Sequence, residues 1–306
     1  MNPERRSVPR TVTPLSVPAI NGADLLRFPM GRQQLEDVVR RALQEDAAFN
    51  DLTTIATIVS DRRARARIVA RDTGVIAGVP LALEAFRQLD AKVSIRVDRE
   101  DGSAVSPGAS VLFVSGHARA LLSAERVALN FMQRLSGIAS LTAKYVACVA
   151  GTGARILDTR KGTPGWRALE KYAVGAGGGT HYRMDLASGI MIKDNHLAAL
   201  DGDVALAIRR ARELAPPGIK VEVECDRIEQ VEAAAEAGAD IILLDNMPLD
   251  LMRESVRLVN GRATTEASGG VRLETVRAIA ETGVNWISIG ALTHSAPSMD
   301  LGLDFE

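Results

Sequence analysis

Apolar positions change rhythm along this chain, and the change divides it in two. From Gln33 to Ala47, the residues Leu35, Val38, Val39, Ala42 and Leu43 fall on one helical face. Asn50-Asp51-Leu52-Thr53-Thr54 breaks that face. Ala64 to Arg71 alternates small or apolar residues with arginine or valine, the period of a half-exposed strand. Leu81 to Leu89 returns to helical spacing. Val93, Ile95 and Val97 alternate ahead of an Asp101-Gly102 turn, and Val111 to Val114 reads as another short strand. The mixture predicts an α+β layer with helices against an antiparallel sheet.

A long helical stretch follows from about Ala118 to Val149, with an interruption expected near Ser136-Gly137. After it the rhythm becomes α/β. Ile156-Leu157 leads to a loop and a helix over Arg167 to Ala176, and Gly189 to Lys193 is a strand before a helix over Val204 to Leu214. Lys220 to Glu224, Ile241 to Leu244 and Thr264 to Ala267 are strands, each followed by a helix, and Trp286 to Ile289 closes the series. Short connections between such strands imply parallel pairing through right-handed crossovers. The pattern fits a β/α barrel better than an open sheet, although periodicity leaves closure open.

Polar residues collect at the predicted strand ends: Asp158-Thr159-Arg160-Lys161, Lys193-Asp194-Asn195-His196, Glu224, Asp245-Asn246, Ser268-Gly269-Gly270 and Gly290. In a barrel those ends form one face, the face that carries active sites. Arg126, Arg160, Arg183 and Lys193 stand in apolar or Gly-rich runs, as cations serving an anionic small molecule do. Glu224 and Asp245 end successive strands and suit a hard cation or a developing positive charge; capping the next helix explains each acid equally well when taken alone. Glu222 points the same way as Glu224 in a regular strand, one layer deeper. Ser268-Gly269-Gly270 and Ile289-Gly290-Ala291 follow the last two strands, where small residues let backbone N–H groups approach a phosphate. His294 lies close by, to touch phosphate or to pack, and His196 is placed to orient the Lys193 loop.

Other chemistries fit less well. Gly177-Gly178-Gly179 follows a helix, not a strand, and lacks the last glycine of a dinucleotide fingerprint; it reads as a loop carrying His181, Tyr182 and Arg183. His117, His181, His196 and His294 show no paired zinc spacing. Lys193 has a second reading as the Schiff-base lysine of a barrel lyase.

Composition narrows the classes. With 37 basic and 38 acidic residues the formal net charge is −1, so no global field draws the chain to nucleic acid or a membrane surface. Aromatics at 4% argue against stacking platforms for single strands, and no apolar run reaches the length of a membrane span. Cys148 and Cys225 sit in apolar runs without a CxxC, as reduced packing residues of a cytoplasmic protein. Residues 1–27, with four prolines and no apolar signal core, are expected to be a flexible tail rather than a targeting segment.

These runs resemble the quinolinate phosphoribosyltransferases. The resemblance rests on Glu125-Arg126-Val127-Ala128-Leu129-Asn130, Leu135-Ser136-Gly137, Asp158-Thr159-Arg160-Lys161, Gly177-Gly178-Gly179, Ile192-Lys193-Asp194-Asn195-His196, Val221-Glu222-Val223-Glu224, Leu244-Asp245-Asn246, Glu266-Ala267-Ser268-Gly269-Gly270 and Gly290-Ala291-Leu292-Thr293-His294. It implies an α/β sandwich over 28–130, to which 296–306 return, and an incomplete parallel β/α barrel over 131–295. The implied reaction joins quinolinate to 5-phosphoribosyl-1-pyrophosphate with Mg2+, releasing nicotinate mononucleotide, pyrophosphate and CO2 in NAD biosynthesis. Lys161, Lys193, Glu224 and Asp245 are the implied catalytic residues, the last two holding the metal. Arg126, Thr159, Arg160, Lys161, His181, Tyr182, Arg183 and Lys193 bind substrate, with Arg126 reaching across a homodimer. Ser268, Gly269, Gly270, Ile289, Gly290, Ala291 and His294 take the phosphate. Two positions depart from the pattern: Tyr182 stands where histidine is usual, and Gly162 where threonine is. The rival readings are transfer to nicotinate, the molybdenum-transport-associated relative, the lyase using Lys193, and a non-catalytic anion sensor.

Overall fold

The structure, a computed structural model, describes residues 27–306; the expected tail over 1–27 lies outside them except for Arg27. In the first half α1 (Arg32–Glu45) buries Val39 and Leu43 on its apolar stripe. Asp51 stops the helical face by capping α2 (Leu52–Thr57), its side chain accepting from the Thr54 N–H at 3.0 Å. The strands β1 (Arg63–Ala70), β2 (Gly74–Val75), β3 (Ser94–Val97), β4 (Ala104–Val105) and β5 (Ser110–His117) follow, with α3 (Val79–Leu89) between β2 and β3. β1 pairs antiparallel with β5, and β5 with β3, which gives the expected helix-covered antiparallel sheet.

Then comes α4 (Ala118–Val149), 32 residues without a break. The interruption expected at Ser136-Gly137 does not occur. Both residues are buried in the helix, and each is small because something crosses it. The Ser136 hydroxyl accepts from the Ala77 N–H at 2.9 Å. At Gly137 the Pro297 carbonyl lies 2.0 Å from where a Cβ would stand, so any side chain there would collide with the C-terminal segment. Small residues mark a close approach here, not a helix end.

The second half contributes β6 (Arg155–Leu157), β7 (Ile190–Ile192), β8 (Val221–Cys225), β9 (Ile241–Asp245), β10 (Thr264–Ser268) and β11 (Trp286–Ser288). They form one parallel sheet in the order β6-β11-β10-β9-β8-β7. Thr180 adds a single parallel bridge to Leu157 on the outer side of β6. Among the described residues no pairing joins that edge to β7, so the barrel is incomplete. Helices over Val204–Leu214, Ile228–Glu236, Leu249–Val259 and Leu273–Ala280 cover the strands. The strands are apolar: Val221, Val223, Ile241, Ile242, Leu244, Ala267 and Ile287 are fully buried.

The chain ends with β12 (Leu301–Phe305), which pairs antiparallel with β1 from Ala66↔Phe305 to Ala70↔Leu301. On the way, the Gln133 side-chain amide donates to the Leu301 carbonyl at 2.8 Å and the Arg134 guanidinium to the Ala296 carbonyl at 2.8 Å. Among the described residues, no helix is long and apolar enough to cross a membrane.

Candidate active site

The barrel brings the predicted residues together in two layers. In the upper layer, register sets the acids and the small-residue turn side by side: Asp245 ends β9 opposite Ser268, which ends β10. Asn246 takes φ 52°, and its N–H donates to the Ser268 carbonyl at 2.9 Å while its side-chain amide donates to Asp245 Oδ2 at 2.9 Å. Gly269, at φ +93°, lies against that amide; a Cβ there would stand 2.2 Å from Asn246 Oδ1. Only glycine fits on both counts. At the end of β11, a Cβ on Gly290 would stand 3.1 Å from Lys161 Cδ and 3.2 Å from His294 Nε2. Lys161 and His294 therefore converge over Gly290, between Ile289, whose N–H donates to the Leu157 carbonyl, and Ala291.

Lys193 follows β7 directly. Where a loop was expected, Asp194–Ala198 form a short helix with Lys193 as its N-cap, and the Lys193 N–H donates to His196 Nδ1 at 3.0 Å. That turn carries the Lys193 ammonium to within 2.5 Å of Glu224 Oε2. Both acids expected to hold a metal are thus at one rim, and Glu224 spends one oxygen on a cation of the protein itself.

Arg160 and Arg183 lie close together, and the Arg183 terminal nitrogens reach only the Gly189 carbonyl and the Met191 sulfur. The Nε atoms of Arg160, Arg167 and Arg183 are buried and make no hydrogen bond. Burial and the charges of Arg183 and Arg167 push the Arg160 guanidinium below its usual value, a mark of cations crowded without enough anions. Arg167 was not singled out from the sequence, since the first residue of a helix carries no signal of this kind. It joins the cluster because its helix begins beside the Arg160 loop.

The lower layer is acidic. Glu222 is fully buried beneath Glu224, and Glu266 from β10 is almost as buried. Neither Glu222 oxygen has a hydrogen-bond partner, nor does Glu266 Oε2. Burial, then Glu266, pushes the Glu222 carboxyl far above the carboxylate range; burial also raises Glu266, opposed by the Ser288 hydroxyl and by Arg183. Glu266 appeared in the sequence only as part of a motif, because a charged residue between Thr265 and Ala267 does not declare which face it takes.

The two residues before Arg183 part company. His181 Nδ1 is 2.7 Å from Asp158 Oδ2, and Asp158 also accepts from the buried Lys171 ammonium. Tyr182 turns to the lower layer. Its hydroxyl is buried with no hydrogen-bond partner, its pKa is raised by burial and then by Glu222 and Glu266, and its ring meets Trp286 at 5.5 Å. Thr159 accepts from the Lys161 N–H at 3.1 Å, which shapes the cationic loop. Gly162 lies over Glu170, whose Oε2 would be 2.4 Å from a Cβ; the same carboxylate accepts from the Thr163 N–H and hydroxyl and from Arg134. Arg126 is exposed on α4, and no hydrogen bond or ion pair among the described residues joins it to the barrel rim.

Guanidinium groups with unbonded Nε atoms, two carboxylates at the strand ends and a glycine-lined turn suit a substrate that carries several negative charges and passes through a cationic state. Comparison with known proteins agrees. The quinolinate phosphoribosyl transferase C-terminal domain matches residues 138–304, and the N-terminal domain of the same family matches 51–136. A protein of Bacillus subtilis (strain 168), named probable nicotinate-nucleotide pyrophosphorylase [carboxylating], is 44% identical over 275 residues, 90% of this chain and 94% of its own length. A nicotinate-nucleotide pyrophosphorylase [carboxylating] of Mycobacterium leprae (strain TN) is 44% identical over 276 residues, covering 88% of this chain and 96% of the relative. The crystal structure of NadC from Streptococcus pyogenes superposes with a TM-score of 0.86 at 40% identity, covering 90% of this chain and 99% of that one. Two family domains in tandem over most of the chain, and relatives matched along nearly their whole length, place this chain in the quinolinate phosphoribosyltransferase family.

Proposed function

We propose that the barrel mouth transfers the phosphoribosyl group of 5-phosphoribosyl-1-pyrophosphate to quinolinate and then removes one carboxylate. The observation that carries this reading is the cluster of Arg160, Arg167 and Arg183, whose buried Nε atoms lack partners. Guanidinium groups bind carboxylates in a bidentate fork, and quinolinate carries two carboxylates. Thr159, His181 and Tyr182 complete the pyridine side, His181 held by Asp158 and Tyr182 set against the acidic floor. Lys161 and Lys193 supply point charges to the carboxylates and the pyrophosphate. The 5-phosphate lies on Ser268, Gly269, Gly270, Ile289, Gly290 and Ala291, beside His294.

The ring nitrogen lone pair forms the bond to ribose C1 as the bond from C1 to pyrophosphate oxygen breaks, and pyrophosphate leaves with that electron pair. The C2–carboxylate bond then breaks. CO2 departs, the electron pair stays at C2 beside the now cationic nitrogen, and one proton adds there to give nicotinate mononucleotide. Phosphoribosyl transferases of this kind depend on a metal, and Glu224 and Asp245 fit Mg2+, which favours one or two carboxylates together with phosphate oxygens. When bound, Mg2+ would neutralise charge on the departing pyrophosphate. The two carboxylates also face the positive charge that builds on the sugar.

The site belongs to a homodimer in this reading, with the exposed Arg126 reaching the neighbour's mouth. The sandwich spans 28–130 plus 296–306, and the barrel 131–295. The free Cys148 and Cys225 accord with a cytoplasmic setting. A lyase mechanism is less favoured, because Lys193 would have to give up Glu224 before its amine could attack.

Quinolinate labelled in the C2 carboxylate, incubated with the phosphoribosyl donor and Mg2+, tests the reading. The expected outcome is one labelled CO2 released per nicotinate mononucleotide formed. Turnover of nicotinate with no release from quinolinate would replace it with the simpler transferase.

A further inference from the structure

A cavity of 660 Å³ opens at the other end of the barrel, where the strands begin. Arg155 and Trp286, the first residues of β6 and β11, line it with Lys220, Asp240 and Arg262. Arg155 and Trp286 are paired in register, so the cation and the indole arise side by side. The charges do not balance. Arg155 and Lys220 have no ion-pair partner among the described residues. Arg262 donates to the Val259 and Leu258 carbonyls at 3.2 and 2.8 Å, which leaves its charge uncompensated. Asp240, the one acid lining the cavity, is already committed: its Oδ2 lies 2.7 Å from Arg212 and accepts from the Val221 N–H at 2.7 Å. In a chain of net charge −1 this is a local excess of positive charge around a concave surface.

Trp286 gives the cavity its second character. Its half-buried indole forms part of the wall, and its other side meets the Tyr182 ring under the acidic floor. An aromatic plane beside unpaired cations accepts a flat ring by stacking and an anionic group by ion pairing. The volume lies within the roughly 300–1,000 Å³ of small-molecule sites.

We propose that this cavity binds a planar aromatic phosphate of nucleoside monophosphate size, with the ring on Trp286 and the phosphate on Arg155, Lys220 and Arg262. The site is separate from the barrel mouth and does not depend on the transferase reading. Its ligand would lie one aromatic layer, Trp286 over Tyr182, beneath the residue that precedes Arg183.

AMP serves as the probe. The chain has two tryptophans, so in a Trp166→Phe background the intrinsic emission reports on Trp286 alone. AMP is expected to quench it saturably with a Kd below about 1 mM, and adenosine to bind at least about tenfold more weakly, since two or three ion pairs are lost. Arg155→Ala with Lys220→Ala is expected to weaken AMP by a similar factor while quinolinate turnover persists. Calorimetric titration of AMP into the full-length chain with and without the double substitution repeats the comparison should Trp166→Phe disturb folding. No binding up to several Kd of the expected value, equal binding of adenosine, or unchanged affinity in the double variant overturns the proposal.

Discussion

Lys193 Nζ and Glu224 Oε2 lie 2.5 Å apart, so the lysine proposed to meet an acidic substrate is held by the carboxylate proposed to meet a metal. In the proposed reaction each substrate would release the group that the other needs. Lys193→Ala is expected to lower kcat/KM for quinolinate by roughly 10- to 100-fold, the loss of one hydrogen bond between charged groups. The same variant should bind Mg2+ with the pyrophosphate donor no less tightly, because Glu224 is freed. Steady-state kinetics with each substrate varied in turn separate the two effects; equal losses on both sides would contradict this account.

Crowded arginines predict a trade between stability and binding. Arg160→Ala relieves repulsion from Arg183 and Arg167, and should raise the Tm of the free protein by about 1–3 °C. It should also abolish the stabilisation that quinolinate confers. Arg160→Lys keeps the charge but loses the fork, so it should not restore activity. Thermal melts with and without quinolinate give both readings.

Burial of Glu266 predicts a sign for the pH dependence of stability. Its folded pKa is raised, so between the ordinary carboxylate range and neutral pH the native state holds a proton that the unfolded state has lost. Stability must then fall as pH rises through that window. Glu266→Gln removes the titration, and its melting temperature should decline less than that of the parent between pH 5 and 8. An unaltered slope would mean that Glu266 is ionised in the folded protein.

Gly269 has no tolerated substitute. Gly269→Ala meets both a left-handed backbone and the Asn246 side chain, and should cost about 2–3 kcal/mol of stability while raising KM for the phosphoribosyl donor more than for quinolinate. Chemical denaturation and kinetics on the same preparation are the check.

The proposed reach of the exposed Arg126 into a neighbouring subunit predicts complementation. Arg126→Ala and Arg160→Ala chains, each inactive alone, should recover part of the activity when mixed, since one mouth in the mixed dimer is intact. Confirmed heterodimers without activity would confine the site to one chain.

Much of this was legible because a parallel sheet sends its loop chemistry to one end. Glu224, Asp245 and Ser268 each stand at the end of a strand, and register alone brings the last two together. What stayed hidden depended on contacts between distant parts of the chain. Ser136 and Gly137 imitate a helix break, and only the Ala77 and Pro297 backbones explain them. His181 and Tyr182 are adjacent, yet one meets Asp158 and the other Trp286, contacts that their shared loop does not announce. Arg167 and Glu266 carry no sign of their own in the sequence, because helix starts and strand interiors conceal which charges lack a partner.

The pairing of β12 with β1 has a consequence for biosynthesis. Residues 66–70 gain this edge neighbour only from residues 301–305, which lie far later in the chain. The N-terminal sheet must wait, one side open, until that later segment has been made, so a nascent chain arrested before residue 301 would carry an unzipped, sticky margin.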